Sequence, residues 1–234
     1  LCFLLSLSTA MGCCVALHSG FPTIQPLIEH LDKATIELVE ESDGEFHTYC
    51  SAFWISEYYI GTARHCVAED DDTVKLGGLR TFLTYDDFST KLPRPAPKHL
   101  YSAIVVDADK DTDVAILKSI DDVTHDILKI RKGDIPVGLD AHTMGHPAGM
   151  TYSYITGVVS QIRDLNIPEI GKKVKTIHLT SLIWKGNSGC AAVDGDGNVI
   201  GIASFLLASA PGMSFFIHKD ELVKLLDKNN IKYY

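Results

Sequence analysis

The sequence predicts an all-β protein, a sandwich or a barrel, that ends in one helix. From about residue 34 to residue 218 the chain is a series of short runs rich in Val, Ile, Thr, Tyr and Phe, which favour strands. Turn residues interrupt these runs at intervals of roughly ten residues, a spacing typical of sandwiches and barrels. A chain of 234 residues with 46% hydrophobic side chains can bury a full core, in one large β domain or two small ones.

Charge and cysteine content narrow the range of partners and cofactors. The formal net charge of −9 argues against nucleic acid or an anionic membrane surface as the main partner. Six cysteines are present without a CxxC pair, so a zinc ribbon is not expected.

The first 17 residues, LCFLLSLSTAMGCCVAL, carry no charged side chain. Their length lies between that of a signal-peptide core and that of a short membrane span. We expect a secretion signal or a membrane anchor, with a buried core helix as the alternative. Residues 1–31 are therefore assigned to an apolar leader and a linker. This assignment favours a secreted or extracytoplasmic protein, with membrane attachment through residues 1–17 if the segment acts as an anchor.

Eleven strand-like runs follow the linker. In chain order they are ATIELV, FHTYCSAFWI, YYIGTA, HLYSAIVVDA, DVAILKSI, TMGHPA, YSYITGVVSQI, VKTIHLTSLI, CAAV, NVIGIASFLL and MSFFIH. A break near residues 127–136 divides them into an N-terminal half, residues 32–126, and a C-terminal half, residues 127–218. In KDELVKLLDKNN, residues 219–230, the apolar side chains share one helical stripe, which predicts a closing helix of about ten residues.

Three acidic or histidine-containing stretches are interpreted as structural. DGDGN, residues 194–198, predicts a hairpin turn, because a calcium loop needs a longer spacing and a closing Glu. The acidic run at residues 69–72 is expected to be a solvated loop. His142 and His146 lie in a predicted strand and turn, so we do not expect them to converge on a metal. No metal site is predicted.

The stretch KGNSGC, residues 185–190, places Ser188 between two glycines. A serine hydroxyl is a weak nucleophile, so it needs a base to take its proton and an acid to orient that base. The glycines allow backbone N–H groups to turn into one concavity, where they can stabilise an oxyanion. The candidate donors are the amides of Gly186 and Ser188.

The candidate base and acid lie upstream at the ends of two predicted strands. His65 follows YYIGTA, at a position where its side chain can face a cleft. Asp113 opens DVAILK, whose alternate residues are apolar, so its carboxylate can be buried and still bind an imidazole.

These motifs resemble those of the chymotrypsin-like serine proteases, in particular the HtrA-type protease domain without a PDZ domain. TARHC is similar to the family's histidine motif, TDVAILK to its aspartate motif and GNSGC to its serine motif. The order His, Asp, Ser and the separations of 48 and 75 residues also agree. The resemblance covers roughly residues 34–230. It implies two six-stranded antiparallel Greek-key β-barrels packed together, with the triad in the crevice between them.

The resemblance implies a serine endopeptidase that hydrolyses proteins or peptides through an acyl-enzyme, without a metal or organic cofactor. In this interpretation Ser188 is the nucleophile, His65 is the general base and Asp113 orients the imidazole. The amides of Gly186 and Ser188 hold the oxyanion. Two alternatives are an inactive protease-fold protein that binds a partner, and a viral polyprotein-processing protease.

The resemblance also implies a disulfide between Cys50 and Cys66, with two free buried thiols as the alternative. Such a bond requires an oxidising compartment, in agreement with the apolar leader. Cys190 is interpreted as a small buried side chain. Asn187 precedes the nucleophile where zymogen-activated relatives have Asp, so we expect that N-terminal cleavage is not needed for activation.

Motif alignment assigns seven residues to the primary specificity pocket. They are Leu182, Ile183, Ser204, Phe205, Leu206, Gly212 and Ser214. None is acidic, and a buried cation needs a partner charge, so Arg or Lys is not expected at the substrate position before the cleaved bond (P1). Apolar or small P1 side chains are expected instead. His178 is an alternative pocket residue for Glu or Gln, but a strand histidine outside the pocket is favoured.

Overall fold

The computed structural model describes residues 23–84, 99–167, 172–206 and 213–234. The first half contains α1 (Gln25–Ala34), β1 (Thr35–Ser42), β2 (Glu45–Trp54), β3 (Tyr59–Ala63), β4 (Leu79–Thr84), β5 (His99–Asp109) and β6 (Val114–Ser119). The second half contains β7 (Asp140–Gly145), β8 (Ser153–Ile167), β9 (Lys172–Leu179), β10 (Ala191–Val193), β11 (Val199–Leu206), β12 (Ser214–His218) and α2 (Lys219–Lys228).

Each set of six strands closes into an antiparallel barrel. The first has the order β1-β2-β3-β6-β5-β4 and closes because β4 pairs with β1. The second has the order β7-β8-β9-β12-β11-β10 and closes because β10 pairs with β7. Because β3 pairs with β6 and β9 with β12, both barrels have Greek-key connections. The predicted double barrel with a C-terminal helix is therefore confirmed.

Apolar side chains fill each barrel and the space between the two. The first barrel encloses Ile36, Leu38, Trp54, Phe82 and Leu117, among others. The second encloses Val159, Ile177, Leu179, Ile200 and Phe216, among others. A third cluster joins Phe53 and Ile116 of the first barrel to Met144 and Ile202 of the second and to Leu222 of α2. This shared core sets the position of one barrel against the other, and with it the crevice between them.

The closing helix α2 begins at Lys219, and its N-cap is His218, the last residue of β12. The Nδ1 atom of His218 accepts a hydrogen bond from the backbone N–H of Asp220 at 3.2 Å, which satisfies one free amide of the first turn. Leu222, Leu225 and Leu226 are buried, as expected from the apolar stripe. The helix ends at Lys228, two residues before the end of the predicted range.

Two elements were not predicted from the sequence. Helix α1 lies in the segment assigned to the leader and linker; Leu31 and Ala34 on its inner face are fully buried in the shared core. Strand β4 reads LRTFLT and was not among the predicted runs. It completes the first barrel by pairing with both β1 and β5.

The apolar leader, residues 1–17, lies outside the described residues. Neither helix in the described ranges combines the length and the apolar character needed to cross a bilayer.

Candidate active site

His65 and Asp113 meet where β3 ends and β6 begins. The pairing of Ala63 with Val114 places the two residues side by side. The Nδ1 atom of His65 donates to the Asp113 carboxylate, at 2.9 Å from Oδ2 and 3.1 Å from Oδ1. The backbone N–H of His65 also donates to Oδ1, at 2.9 Å. These bonds hold the imidazole with Nδ1 toward Asp113, which leaves Nε2 as the basic nitrogen.

The two groups shift each other's pKa in opposite directions. Partial burial alone would lower the pKa of His65, but the hydrogen bond and negative charge of Asp113 outweigh it and raise that pKa above its ordinary 6.5. Burial would raise the pKa of Asp113, which is 7% exposed. The hydrogen bond and charge of His65 and the hydrogen bond of Ser204 outweigh burial, so the pKa of Asp113 lies below its ordinary 3.8. The carboxylate is therefore ionised at neutral pH.

The raised His65 pKa predicts the acid limb of a pH–activity profile. A general base must be neutral, so kcat/KM is expected to rise with pH through a midpoint above 6.5. The measurement is kcat/KM for a short peptide substrate between about pH 5 and pH 9. Arg64→Gln is a matched variant, because the charge of Arg64 lowers the His65 pKa and its removal should move the limb to higher pH. A midpoint at or below 6.5 would contradict the assignment.

Ser204 donates from Oγ to Oδ2 of Asp113 at 2.5 Å. The register of β11 against β12 shifts between Ala203 and Phe205, so Ser204 sits at a bulge, a feature that redirects a side chain. Motif alignment assigned Ser204 to the specificity pocket, and its second role on Asp113 was missed. No residue pattern along β11 signals a bulge, so the sequence offered no signal for this contact.

The loop that carries Ser188 requires glycine on both sides. Gly186 has φ +98°, and an added Cβ there would lie 2.2 Å from the carbonyl oxygen of His146. Gly189 has φ +85°, and an added Cβ would lie 2.2 Å from the carbonyl oxygen of Ser51. Only glycine fits either position without moving neighbouring backbone.

Contacts of the backbone carbonyl place Ser188 beside the His65 turn. The backbone carbonyl oxygen of Ser188 accepts a hydrogen bond from the N–H of Ser51 at 2.8 Å. The same oxygen lies 3.5 Å from Sγ of Cys66, the neighbour of His65. Ser188 also lines the same pocket as Ser204, which binds Asp113. The Ser188 loop thus lies next to the turn that carries His65, and Ser204 links the pocket beside Ser188 to Asp113.

The two candidate oxyanion amides are available for binding. Within the described part of the chain, neither the N–H of Gly186 nor that of Ser188 donates to a protein acceptor. The carbonyl of Lys185, in the same peptide as the Gly186 N–H, accepts from Ala148 at 2.7 Å. Because C=O and N–H point in opposite directions in a trans peptide, this bond turns the Gly186 N–H away from the 146–149 loop.

A pocket of about 230 Å³ opens next to Ser188. Its described lining is Ile183, Trp184, Lys185, Ser188, Ser204 and Phe205. Three of the assigned pocket residues, Ile183, Ser204 and Phe205, are in this set, whereas Trp184 and Lys185 were missed.

Two of the other four assigned residues do not line the pocket. Leu182 is absent from its described lining and is 64% exposed, whereas the neighbouring Ile183 is buried. Ser214 lies behind the wall, where its buried Oγ accepts from the N–H of Ile183 at 3.3 Å. The side chain of Leu206 and all of Gly212 lie outside the described part of the chain.

His178 lies outside the pocket, in the position that was favoured. Phe205 forms the pocket wall and stacks on Phe215, with ring centroids 5.0 Å apart. His178 stacks on the far face of this pair, with its ring centroid 5.2 Å from that of Phe215. The ring of Phe215 therefore separates His178 from the Phe205 wall.

The disulfide between Cys50 and Cys66 is present, with Cα atoms 5.9 Å apart and a separation of 16 residues. It ties β2 to the turn that carries His65, and loop closure of this length contributes about 3 kcal/mol to stability. Potential ligand atoms of Cys50, Cys66 and His65 lie within 4.8 Å of one another, but the sulfurs are bonded and offer no thiolate. Cys190 is a fully buried free thiol whose pKa is raised by burial, as expected for an inert side chain.

The remaining histidine and acidic stretches have structural partners. His142 Nδ1 lies 2.7 Å from the Tyr154 hydroxyl, whereas His146 Nδ1 accepts from the N–H of Tyr152 at 3.1 Å, so the two histidines do not converge. Asp194 Oδ1 accepts from backbone amides of its own turn, which joins β10 to β11 as the predicted hairpin.

Known proteins are similar in sequence to this chain. Residues 50–202 match the family model described as Trypsin-like peptidase domain. The chain is 30% identical over 141 residues to Protease Do-like 1, chloroplastic, of Arabidopsis thaliana, a match that covers 57% of this chain and 32% of the relative. It is 33% identical over 134 residues to the probable periplasmic serine endoprotease DegP-like of Halomonas elongata, a match that covers 54% of this chain and 27% of that protein. It is 31% identical over 137 residues to the mitochondrial serine protease HTRA2 of Bos taurus, covering 56% and 29%. The match spans about a third or less of each relative.

Solved structures share the fold. The active form of the Rv3671c protease from M. tuberculosis superposes with a TM-score of 0.71 at 19% identity, covering 88% of this chain and 85% of that one. The HtrA-type protease AlgW with a tripeptide superposes with a TM-score of 0.70 at 23% identity, and the match covers 88% of this chain and 63% of that one. At these identities the likeness establishes the double-barrel fold.

Proposed function

Because this chain belongs to the trypsin-like peptidase family, we propose that it is a serine endopeptidase with Ser188 as nucleophile, His65 as general base and Asp113 as orienting acid. The observation that carries the proposal is the bond from His65 Nδ1 to Asp113 at 2.9 Å, on the turn whose Cys66 contacts the backbone of Ser188. That bond leaves Nε2 free to take a proton from a serine hydroxyl.

The proposed reaction proceeds in two halves. Ser188 Oγ attacks the carbonyl carbon of the cleaved peptide bond while His65 Nε2 takes the hydroxyl proton. The tetrahedral intermediate collapses, His65 returns the proton to the leaving amine, and an acyl-enzyme remains. Water, activated by the same imidazole, then hydrolyses the ester and restores Ser188.

The charges that develop during the reaction are stabilised on both sides of the site. Asp113 is ionised and nearly buried, so it stabilises the imidazolium that forms in each half-reaction. The amides of Gly186 and Ser188 are proposed to donate to the oxyanion, each contributing on the order of 10²-fold or more to the rate.

The pocket beside Ser188 favours an apolar P1 side chain. Ile183, Trp184 and Phe205 supply apolar walls, and no carboxylate is present in its described lining. Peptides with Val, Ile, Leu or Ala at P1 are expected to exceed those with Arg or Lys by about 100-fold or more in kcat/KM, because the cation would be desolvated without a partner. A P1-varied peptide library measures this ratio, and a preference for Arg or Lys would contradict the assignment of the pocket.

An extracytoplasmic location fits the disulfide, which forms and persists in oxidising compartments. One relative is described as periplasmic. We include secretion and peptide or protein substrates in the proposal.

A fluorophosphonate probe tests the proposed activity. The folded protein is expected to take one label, on Ser188, as located by peptide mass spectrometry, and urea-unfolded protein is expected to take none. A folded sample that is not labelled would favour the alternative of an inactive protein that binds a partner. Labelling together with a matching cleavage junction in the parent gene would favour a polyprotein-processing protease.

A further inference from the structure

The hydroxyl of Ser51, in β2 of the first barrel, bridges two loops of the second barrel. Its Oγ donates to the carbonyl of Gly186 at 2.7 Å and accepts from the backbone N–H of His146 at 3.2 Å. Since the His146 amide can only donate, the single Ser51 proton is committed to Gly186. Ser51 is fully buried, so water does not replace either partner.

The two bridged loops are those that orient the proposed oxyanion amide. The 146–149 loop supplies the Ala148 N–H that holds the Lys185 carbonyl and so directs the Gly186 N–H. The Gly186 carbonyl, in the next peptide, is the group that Ser51 holds. The peptide before the Gly186 Cα is held through the loop that Ser51 also contacts. The peptide after it is held by the bond from Ser51 to the Gly186 carbonyl and by a turn bond from the Asn187 N–H to the carbonyl of Trp184 at 3.0 Å.

Among the described residues, Ser51 supplies the only side-chain hydrogen bond to residues 186 and 187. Asn187 is fully buried, yet neither its Oδ1 nor its Nδ2 has a hydrogen-bond partner among the described residues. The backbone N–H of Ser51 holds the Ser188 carbonyl, but that bond is independent of the side chain at residue 51.

We propose that Ser51 is a positioning residue for the oxyanion hole. This role rests on the proposed function. The hydroxyl holds residues 186 and 146 together, so that the Gly186 N–H stays directed at the developing oxyanion. Gly186 has φ +98° and no side chain to restrain it, so loss of the bridge leaves its flanking peptides with backbone turn bonds alone and freer to rotate. Loss of the hydroxyl would then weaken binding of the transition state more than binding of the substrate.

Ser51→Ala and Ser51→Gly test this role, since both delete the hydroxyl and keep the backbone N–H. Activity is normalised to the number of sites titrated by the fluorophosphonate probe. We expect kcat to fall about tenfold or more with KM nearly unchanged. The affinity for a peptide trifluoromethyl ketone, whose adduct carries an oxyanion, is expected to fall by the same factor as kcat/KM. Ser181→Ala is the matched control, because it removes a buried serine hydroxyl that has no hydrogen-bond partner among the described residues.

The outcomes are distinct. Unchanged kcat per titrated site in either variant, with lower stability alone, would overturn the positioning role and leave a structural one. The same loss of kcat in Ser181→Ala would also overturn it. Absence of Ser188 labelling in the wild-type protein would overturn the proposed function, and this role with it. If Ser51→Ala does not fold, Ser51→Gly supplies the comparison.

Discussion

Ser188→Ala is expected to lower kcat/KM by about 10⁶-fold and to abolish labelling by a fluorophosphonate probe. The substitution removes only Oγ. The contacts of residue 188 with Ser51 and Cys66 use its backbone carbonyl and survive the change. The double barrel and its stability should therefore be unchanged, and the loss is chemical. Residual hydrolysis above the uncatalysed rate is expected from the oxyanion amides and substrate binding.

The measurement combines single-turnover cleavage of a peptide substrate with urea unfolding of both proteins. Equal unfolding midpoints show that the variant is folded. Activity of Ser188→Ala within about tenfold of the wild-type value would mean that another group is the nucleophile, and the proposed mechanism would be wrong.

Asp113→Asn is expected to lower kcat/KM by about 10⁴-fold at neutral pH. The backbone tolerates the change, because Asp113 has φ +59° and Asn is among the few residues that adopt this region. An amide oxygen can still accept from Ser204. The amide nitrogen, however, donates to His65 Nδ1 and so favours the tautomer with the proton on Nε2, which cannot accept a proton from Ser188.

The Asp113→Asn variant has a second expected result. Without the carboxylate, partial burial and the Arg64 charge are the remaining influences on His65, and both lower its pKa. The acid limb of the pH profile is therefore expected to move to lower pH as activity falls. Asp107→Asn is a matched control, since that carboxylate binds Lys228 and Asn229 at the C-terminal end of α2 and not His65. A comparable loss in the control, or none in Asp113→Asn, would contradict the role of Asp113.

The motif-bearing residues could be assigned from the sequence because their surroundings are local. Gly186 and Gly189 flank Ser188 within three residues, and the strand pairing that joins His65 to Asp113 follows from runs of β-forming residues. The disulfide was implied by the same family resemblance. These features depend on short segments whose pattern can be read along the chain.

Most of the features that were missed depend on contacts between distant segments. Helix α1 is the exception: Pro26 in its first turn and the apolar face of Leu27, Leu31 and Ala34 are local signals, but the segment was interpreted as part of the linker. Ser204 reaches Asp113 across 91 residues of sequence because β11 bulges, and Ser51 reaches Gly186 across 135 residues because the barrels pack together. Such pairings are set by tertiary packing and become visible only in three dimensions.

The double engagement of Ser204 limits how this protein could be redesigned. One side chain lines the proposed specificity pocket and donates to the carboxylate proposed to orient the base. A larger residue introduced there to narrow the pocket would leave a buried carboxylate oxygen with one donor fewer. Changes of selectivity at this position are therefore expected to lower turnover. Trp184 lines the same pocket, and its side chain has no hydrogen bond to Asp113 or His65 among the described residues, so substitution there is expected to change substrate choice with less loss of turnover.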